Sequence, residues 1–445
     1  MPLYIGVNET DITPPPGIGL CGYAFRPQGA TAVHDPLFAQ AVVSDNGKTR
    51  TALLGMDLIA LDLDIVLRVR SEIAAALNTP PSHVLLNATH NHAGPVTRTY
   101  RAMPARDPVY IDALIRKLVG CAVQAANQMQ PALLQFGTAS VQLGINRRER
   151  RNGQTILGCN LSGPVDSTVR VLVVNSSRHE PLAVLYSHAC HPVTMEGDNL
   201  QISAEFPGTA RMSLQHRLPS GVVIAFLQGC CGNINPWRRG TFAAVTSNGD
   251  ILADAVLEAI STSSLLADQA MIEANEETIS LPTIPPPSPQ KCQALLDQAN
   301  SDFEQARRSN SDAGHLLFME GMRDFAQFLL ETSLHSPSNP SASFSIQRFR
   351  LGGLQIIGMP AEIFVQYGLD FERQVKAPVL ALGYTNGCHN YLPATADYPL
   401  GGYEVEDAYK YYGELMYAPT AETALRAAAY KLLGVDDPDY TPYAI

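Results

Sequence analysis

Short apolar runs alternate along the chain with longer segments in which apolar residues recur at helical spacing. The short runs are bounded by turn-forming residues, as is typical of buried strands. Strands that alternate with helices are characteristic of α/β proteins, so the sequence predicts an α/β fold with a largely buried mixed β-sheet flanked by helices. The predicted strands are 41–44, 51–56, 83–86, 169–174, 182–186, 222–227, 354–358 and 379–382, and the predicted helices are 63–77, 108–128 and 248–260.

One stretch interrupts this alternation. Residues 281–289 are rich in proline and predict a stiff polyproline segment. Two polar amphipathic helix patterns follow at 290–308 and 313–334, and Ser-Pro-Ser-Asn-Pro at 336–340 ends the excursion. We therefore expect a helical hairpin, 282–340, inserted in a single domain that spans 1–445; a lid, a dimer contact and an inert decoration are all open roles for it.

Two histidine segments follow predicted strands. Residues 89–95 read Thr-His-Asn-His-Ala-Gly-Pro, and residues 187–192 read Ser-His-Ala-Cys-His-Pro. Alternate residues of an extended segment share a face, so His90 and His92 can enter one pocket, one as a metal ligand and the other as a proton carrier. His188 and His191 are three apart and face opposite ways, so we expect only His191 to be a ligand.

Further polar residues lie at the ends of predicted strands. Glu362 follows the strand 354–358, and with two neutral histidines it would complete a common catalytic zinc set. Tyrosine is a rarer ligand, so chemistry alone ranks Tyr391 low. The Gly- and Asn-rich turn at 229–236 fits an anion-binding turn and an ordinary tight turn equally well. A His-x-His pair by itself is as typical of a polar strand end as of a metal site.

Composition and motif content argue against several classes of protein. The chain has 445 residues and a net charge of −11, and its densest basic run, 147–151, is interrupted by an acid. We therefore expect no nucleic-acid partner. No apolar stretch approaches the roughly 18 residues of a membrane span, and we see no signal peptide. The eight cysteines show no CxxC or disulfide spacing, which favours reduced thiols in a cytoplasmic protein. A Gly-x-Ser-x-Gly elbow is also absent from the sequence.

Several segments, in chain order, resemble the catalytic domain of the neutral ceramidases, a family of zinc amidohydrolases. The most specific is 89–95, which is similar to the family's Thr-His-Thr-His-Ser/Ala-Gly-Pro. The other segments that carry the resemblance are Asn-Glu-Thr-Asp-Ile-Thr at 8–13 with Gly-Tyr at 22–23, Ile-Asn-Arg at 145–147, His-Pro-Val-Thr-Met at 191–195, Gly-Met-Pro-Ala-Glu at 358–362, and the tyrosine pair Tyr391 and Tyr403.

The resemblance implies a ligand set and a catalytic set. Zn²⁺ would be held by His90, His191, Glu362 and Tyr391. Substrate would be oriented, and the tetrahedral intermediate stabilised, by His92, Arg147 and Tyr403.

The sequence also departs from the family's pattern. The family carries Gly-Asp-x-Ser-Pro where this chain has Gly-Asn-Ile-Asn-Pro at 232–236. Asn235 thus stands in place of a serine and can exchange hydrogen bonds without acting as a nucleophile. The resemblance covers the catalytic domain, and we expect no counterpart of the family's C-terminal immunoglobulin-like domain within residues 1–445.

These observations predict a zinc-dependent hydrolase that uses a zinc-activated water, with Asn235 and Arg147 positioning the substrate. The expected substrate is a small molecule, an N-acyl amide that is ceramide-like or smaller. A zinc esterase or lactonase, and a non-catalytic metal-binding homologue, are the alternatives. A homo-oligomer is also left open.

Overall fold

A computed structural model describes residues 2–335 and 339–439. Its strands are β1 (Tyr4–Asp11), β2 (Ala32–Val33), β3 (Phe38–Asp45), β4 (Arg50–Met56), β5 (Val84–Ala88), β6 (Gln130–Ser140), β7 (Gly144–Arg151), β8 (Gln154–Asn160), β9 (Thr168–Ser176), β10 (Pro181–His188), β11 (Gln201–Ile202), β12 (Val223–Gln228), β13 (Ile234–Pro236), β14 (Ser264–Leu265), β15 (Ile272–Pro282), β16 (Ser341–Leu351), β17 (Leu354–Gly358), β18 (Ala361–Ile363), β19 (Val379–Leu382) and β20 (His389–Leu392).

Helices connect most of these strands. They are α1 (Leu63–Leu77), α2 (Pro108–Asn127), α3 (Glu205–Arg217), α4 (Phe242–Ser261), α5 (Pro289–Arg308), α6 (Ala313–His335), α7 (Val365–Gln374), α8 (Tyr403–Glu406), α9 (Ala408–Tyr412) and α10 (Ala421–Leu433), with 3-10 turns at Pro81–His83 and Thr395–Leu400. Across both described ranges, every helix is too short or too polar to serve as a membrane span.

Two β-sheets pack face to face at the centre of the molecule. The large mixed sheet has the strand order β12-β10-β9-β6-β1-β3-β4-β5, with β14 beside β6, and the smaller sheet has the order β15-β16-β17-β19. Helices α1 to α4 cover the outer face of the large sheet, while α7 and α10 pack against the smaller one. The predicted α/β class, with a mixed sheet flanked by helices, is confirmed.

Burial on both faces explains why the strands read as continuous apolar runs. In β4, Leu53 packs toward the smaller sheet and Leu54 toward the helices. In β5, Leu85 and Leu86 divide in the same way. Successive side chains of a strand point to opposite faces, so a strand buried on both sides needs apolar residues at nearly every position.

The two helices predicted at 290–308 and 313–334 are present as α5 and α6. The Pro-rich stretch differs from prediction at its start, because Leu281 and Pro282 belong to β15 and pair with Ala342 and Ser341 of β16. The hairpin is thus an excursion between two strands that pair directly at its base. The expected end of the excursion falls partly on residues 336–338, which lie outside the described residues.

For two helices, the local sequence pattern was insufficient to predict the helix or its first residue. Helix α4 begins at Phe242, before the predicted start, because the Thr241 side chain caps it by accepting a hydrogen bond from Ala244 N at 3.1 Å. Helix α3 was not predicted. It carries Pro207 and Gly208, which weaken a helical pattern, although proline is tolerated in a first turn.

A close approach of β1 to α2 generates a stability prediction. A Cβ built on Gly6 would lie 1.8 Å from the Ala125 carbonyl oxygen, whereas one built on Gly120, on the exposed side of the same helix, meets nothing within 4 Å. We expect Gly6→Ala to lower the free energy of unfolding by roughly 1–3 kcal/mol. Gly120→Ala, the matched control, should raise it by about 0.5–1 kcal/mol. Urea denaturation measures both, and equal midpoints for the two variants would contradict the packing described.

Candidate metal centre and substrate cavity

His90 and His92 enter the site from the loop that follows β5. His90 has a left-handed backbone, with φ of 64°, and its Nδ1 donates to the Ile59 carbonyl oxygen at 2.9 Å. The His92 Nδ1 donates to the Gly22 carbonyl oxygen at 3.1 Å. The two Nε2 atoms are 3.0 Å apart. The expected sharing of one pocket by these two rings is therefore seen.

His191 reaches the same point from the end of β10. Its Nδ1 donates to the carbonyl oxygens of Cys231, at 2.7 Å, and Ile234, at 3.0 Å. His188 lies apart from this group, and its Nδ1 donates to the Thr168 carbonyl oxygen at 3.1 Å.

Carbonyl oxygens only accept hydrogen bonds, so the Nδ1 atom of each of the three rings carries a proton, and in the neutral ring Nε2 presents a lone pair. The candidate ligand atoms of His90, His92 and His191 all lie within 4.8 Å of one another. Lone pairs that face one another in a buried space are unfavourable unless a cation lies between them. The donor set therefore fits a metal ion such as zinc.

Glu362 adds a carboxylate to the group. Its Oε2 lies 3.0 Å from His191 Nε2 and 3.5 Å from His90 Nε2. Strand β18 pairs in parallel with β20, and the register sets Glu362 directly beside Tyr391. Two further tyrosines donate hydrogen bonds to this carboxylate, Tyr384 to Oε2 at 3.3 Å and Tyr412 to Oε1.

The electrostatics favour the protonation states that metal ligands need. Burial would raise the pKa of Glu362, but His90 and His191 outweigh it and hold the pKa well below its ordinary value. Burial lowers the pKa of His191 to about 4, and Arg147 acts in the same direction. Burial, then His90 and His191, hold the pKa of His92 well below its ordinary value. Near neutral pH these shifts favour a carboxylate at Glu362 and neutral imidazoles at His191 and His92.

Arg147 lies at the junction of the polar groups. It donates from Nη2 to the Tyr391 hydroxyl at 2.9 Å and from Nη1 to Asn235 Oδ1 at 3.2 Å. Strand β13 pairs antiparallel with β7, which brings Asn235 beside Arg147. Glu404 bridges two buried guanidinium groups, at 2.8 Å from Arg147 Nε and 2.6 Å from Arg148 Nη1. These contacts fix the Arg147 head group in one orientation.

A cavity of about 440 Å³ opens over this centre. Tyr403 lines it with its ring centroid 5.9 Å from that of Tyr391. The inserted hairpin supports the rim, because Phe318 of α6 packs on Phe25 and Tyr411, both of which line the cavity. All the residues predicted for the site line this cavity except His191, which lies beneath it and contacts Glu362.

The structure also brings in residues that sequence reasoning missed. Tyr384, Tyr412 and Glu404 contact the predicted residues directly. Tyr384 follows β19, and neither it nor Tyr412 lies in a motif. Glu404 directly follows Tyr403 in a segment that the resemblance includes, but the sequence indicated no role for it. Only the packing of distant segments reveals them. The ring of Tyr384 also stacks on His90, with centroids 4.1 Å apart.

Residues 3–257 match the neutral/alkaline non-lysosomal ceramidase N-terminal family, and the chain belongs to this family of hydrolases. The resemblance noted in the sequence is thereby confirmed.

Individual relatives agree with this assignment. A neutral ceramidase from Pseudomonas aeruginosa is 24% identical over 501 residues, which cover 98% of this chain and 72% of that protein. The crystal structure of a neutral ceramidase from the same organism has a TM-score of 0.72 at 19% identity, over 100% of this chain and 77% of that one. A ceramidase complexed with C2 has a TM-score of 0.72 at 18% identity, with the same coverage. These structures share the fold of this chain.

The Glu404 bridge generates a second stability prediction. Glu404→Gln removes the anion shared by two buried arginines, so we expect a loss of about 3–5 kcal/mol in the free energy of unfolding. The control is Glu72→Gln, which removes an exposed ion pair with Arg68 and should change stability by less than about 1 kcal/mol. Guanidinium denaturation of both variants measures the difference, and a Glu404→Gln protein as stable as the control would refute the bridging role.

Proposed function

We propose that this protein is a zinc-dependent hydrolase that cleaves an N-acyl amide, ceramide-like or smaller. The observation that carries the proposal is the convergence of the Nε2 atoms of three histidines and the Glu362 carboxylate below a cavity lined by Arg147 and Asn235. Membership of the ceramidase family supports hydrolysis of an amide bond.

The proposed zinc ligands are His90, His191, Glu362 and Tyr391. Bound zinc would supply Lewis acidity and a water molecule of lowered pKa. Two contacts support the inclusion of Tyr391: the pairing of β18 with β20 sets it beside Glu362, and its hydroxyl accepts a hydrogen bond from Arg147. A set of three histidines that includes His92 is also compatible with the distances.

In hydrolysis, the oxygen of water bonds to the acyl carbon, the C–N bond breaks, and a proton reaches the leaving nitrogen. We assign this proton transfer to His92; the hydrogen bond from its Nδ1 to the Gly22 carbonyl oxygen and the closeness of its Nε2 to His90 Nε2 support the assignment. Burial raises the pKa of Tyr403, so its hydroxyl stays protonated and can donate to the carbonyl oxygen or to the amine. Arg147 and Asn235 then position polar groups of the substrate.

The state of the cysteines supports a proposal about the cellular compartment of the protein. Cys21, Cys121, Cys159, Cys190, Cys230, Cys231, Cys292 and Cys388 are all free thiols. Unpaired thiols are typical of reducing compartments, so a cytoplasmic location is part of the proposal. A homo-oligomer stays a prediction from the sequence.

Metal content tests the centre. We expect about one zinc per chain in the wild-type protein, and loss of that zinc in His191→Ala, because the variant removes a ligand from a buried site. His188→Ala is the matched control, since it removes a buried histidine three residues away that lies outside the group, and it should retain the metal. Elemental analysis on folded protein measures all three. Absence of zinc from the wild type, or equal zinc in both variants, would reject the proposed centre.

A second pair of variants separates ligation from proton transfer. We expect His90→Ala to lose both zinc and turnover, and His92→Ala to retain zinc while turnover falls by roughly 10²–10⁴-fold, as for the loss of a general acid–base. A panel of N-acyl amides and matched esters provides the turnover assay. Loss of zinc from His92→Ala would favour the three-histidine set, full activity in that variant would rule out the proton-carrying role, and cleavage of esters alone would favour the esterase alternative.

A further inference from the structure

The mouth of the cavity carries one arginine that the proposed chemistry does not use. Arg239 follows β13 by a few residues and lines the cavity together with Trp237. Its Nε donates to the Val193 carbonyl oxygen at 2.8 Å, which holds the guanidinium at the cavity wall. The side chain is 32% exposed, so it is accessible to a ligand that enters the cavity.

Arg239 and Arg147, the two arginines of the cavity lining, differ in how closely each is paired with a carboxylate. Arg147 is bound by Glu404 at 2.8 Å. For Arg239, the nearest carboxylate oxygen in the described ranges belongs to Glu196, at 3.8 Å from Nη2, and that glutamate is 56% exposed. Glu362, the carboxylate of the cavity lining, is already engaged by His90 and His191. Arg239 is therefore paired only at long range, with an exposed glutamate whose place an anionic ligand can take.

This local charge is opposite to that of the whole protein, which has a net charge of −11. A uniformly acidic surface would repel an anionic substrate, and a cation at a cavity mouth reverses the local field. A guanidinium binds a carboxylate through two parallel hydrogen bonds, which makes it a specific receptor for that group.

Arg239 is also close to the reacting groups. The Tyr23 ring packs edge-on against His92, with centroids 5.3 Å apart, and Tyr23 lines the same cavity as Arg239. Arg239 and the proposed proton carrier thus lie in the lining of one cavity, with Tyr23 in contact with the histidine. The cavity lining also includes the buried residues Ile59 and Tyr100. Their apolar and aromatic side chains suit contact with an acyl chain.

We propose, resting on the hydrolase function above, that Arg239 determines specificity by binding a carboxylate on the amine part of the substrate, so that the protein acts on N-acyl amino acids. The acyl chain lies on the apolar lining, the amide carbonyl lies over the centre, and the carboxylate meets Arg239 at the mouth. Hydrolysis adds water across the C–N bond and releases a fatty acid and a free amino acid.

Two matched compounds test this assignment. N-decanoylglycine and N-decanoylethanolamine share an acyl chain and an amide and differ in the terminal charge. We expect the wild type to prefer the glycine conjugate. In Arg239→Gln the ratio of the two kcat/KM values should fall by roughly 10- to 100-fold, mainly through KM, because a charge-assisted hydrogen-bond pair is lost. Arg239→Lys, which keeps the charge and loses the fork, should restore part of the ratio.

Arg238→Gln is the matched control. It removes the same charge from the neighbouring residue, which is exposed and lies outside the cavity lining, so it should keep the wild-type ratio. An unchanged ratio in Arg239→Gln, or an equal fall in Arg238→Gln, would overturn the assignment.

A binding measurement separates failure of this inference from failure of the hydrolase function. N-(decylsulfonyl)glycine and N-(decylsulfonyl)ethanolamine keep the shape of the substrates without a hydrolysable amide. Calorimetry should show tighter binding of the glycine compound, and Arg239→Gln should abolish the difference. If neither amide is cleaved and the binding difference is present, the carboxylate site stands and the hydrolase function fails. If both sulfonamides bind equally to the wild type, the specificity assignment is wrong whatever the catalytic result.

Discussion

Three imidazoles at the centre donate hydrogen bonds from Nδ1–H to backbone carbonyl oxygens. These hydrogen bonds fix the orientation of the rings and so determine which atoms face the centre. With the protons held on that side, the Nε2 lone pairs of His90, His92 and His191 face one another and the Glu362 carboxylate. Such an array of acceptors is costly in a buried space without a cation. The backbone, rather than any single side chain, therefore orients these rings so that they could hold a metal ion.

The sheets supply the rigidity for this arrangement. His191 follows a strand of the large sheet, while Glu362 and Tyr391 lie on the paired strands β18 and β20. Arg147 comes from β7, which pairs with β13. Residues held on strands and at strand ends keep fixed separations, as a metal site with little tolerance in distance requires. The cavity above also draws on loops, such as the segment 22–25, whose residues line its wall.

Much of this could be predicted from the sequence, for identifiable physical reasons. Strands buried on both faces, such as β4 and β17, need apolar residues throughout and leave a clear pattern. The segment at 89–95 is specific enough to mark its histidines. Tyr384 and Tyr412 left no such signal, and Glu404 was seen only as the neighbour of Tyr403, because the roles of all three arise from contacts between segments far apart in the chain. Helix α3 was missed because Pro207 and Gly208 weaken its local pattern, and tertiary packing overrides that weakness.

The base of the inserted hairpin has a consequence for how this chain can vary. Leu281 and Ala342 are direct partners in the smaller sheet, so the strands close before the helices begin. The excursion touches the cavity through Phe318, at the rim, while the ligands come from other parts of the chain. The segment that shapes the entrance and the segments that hold the centre are thus encoded independently. The breadth of the entrance can be altered by exchange of one contiguous piece of sequence, with the chemistry beneath it left in place.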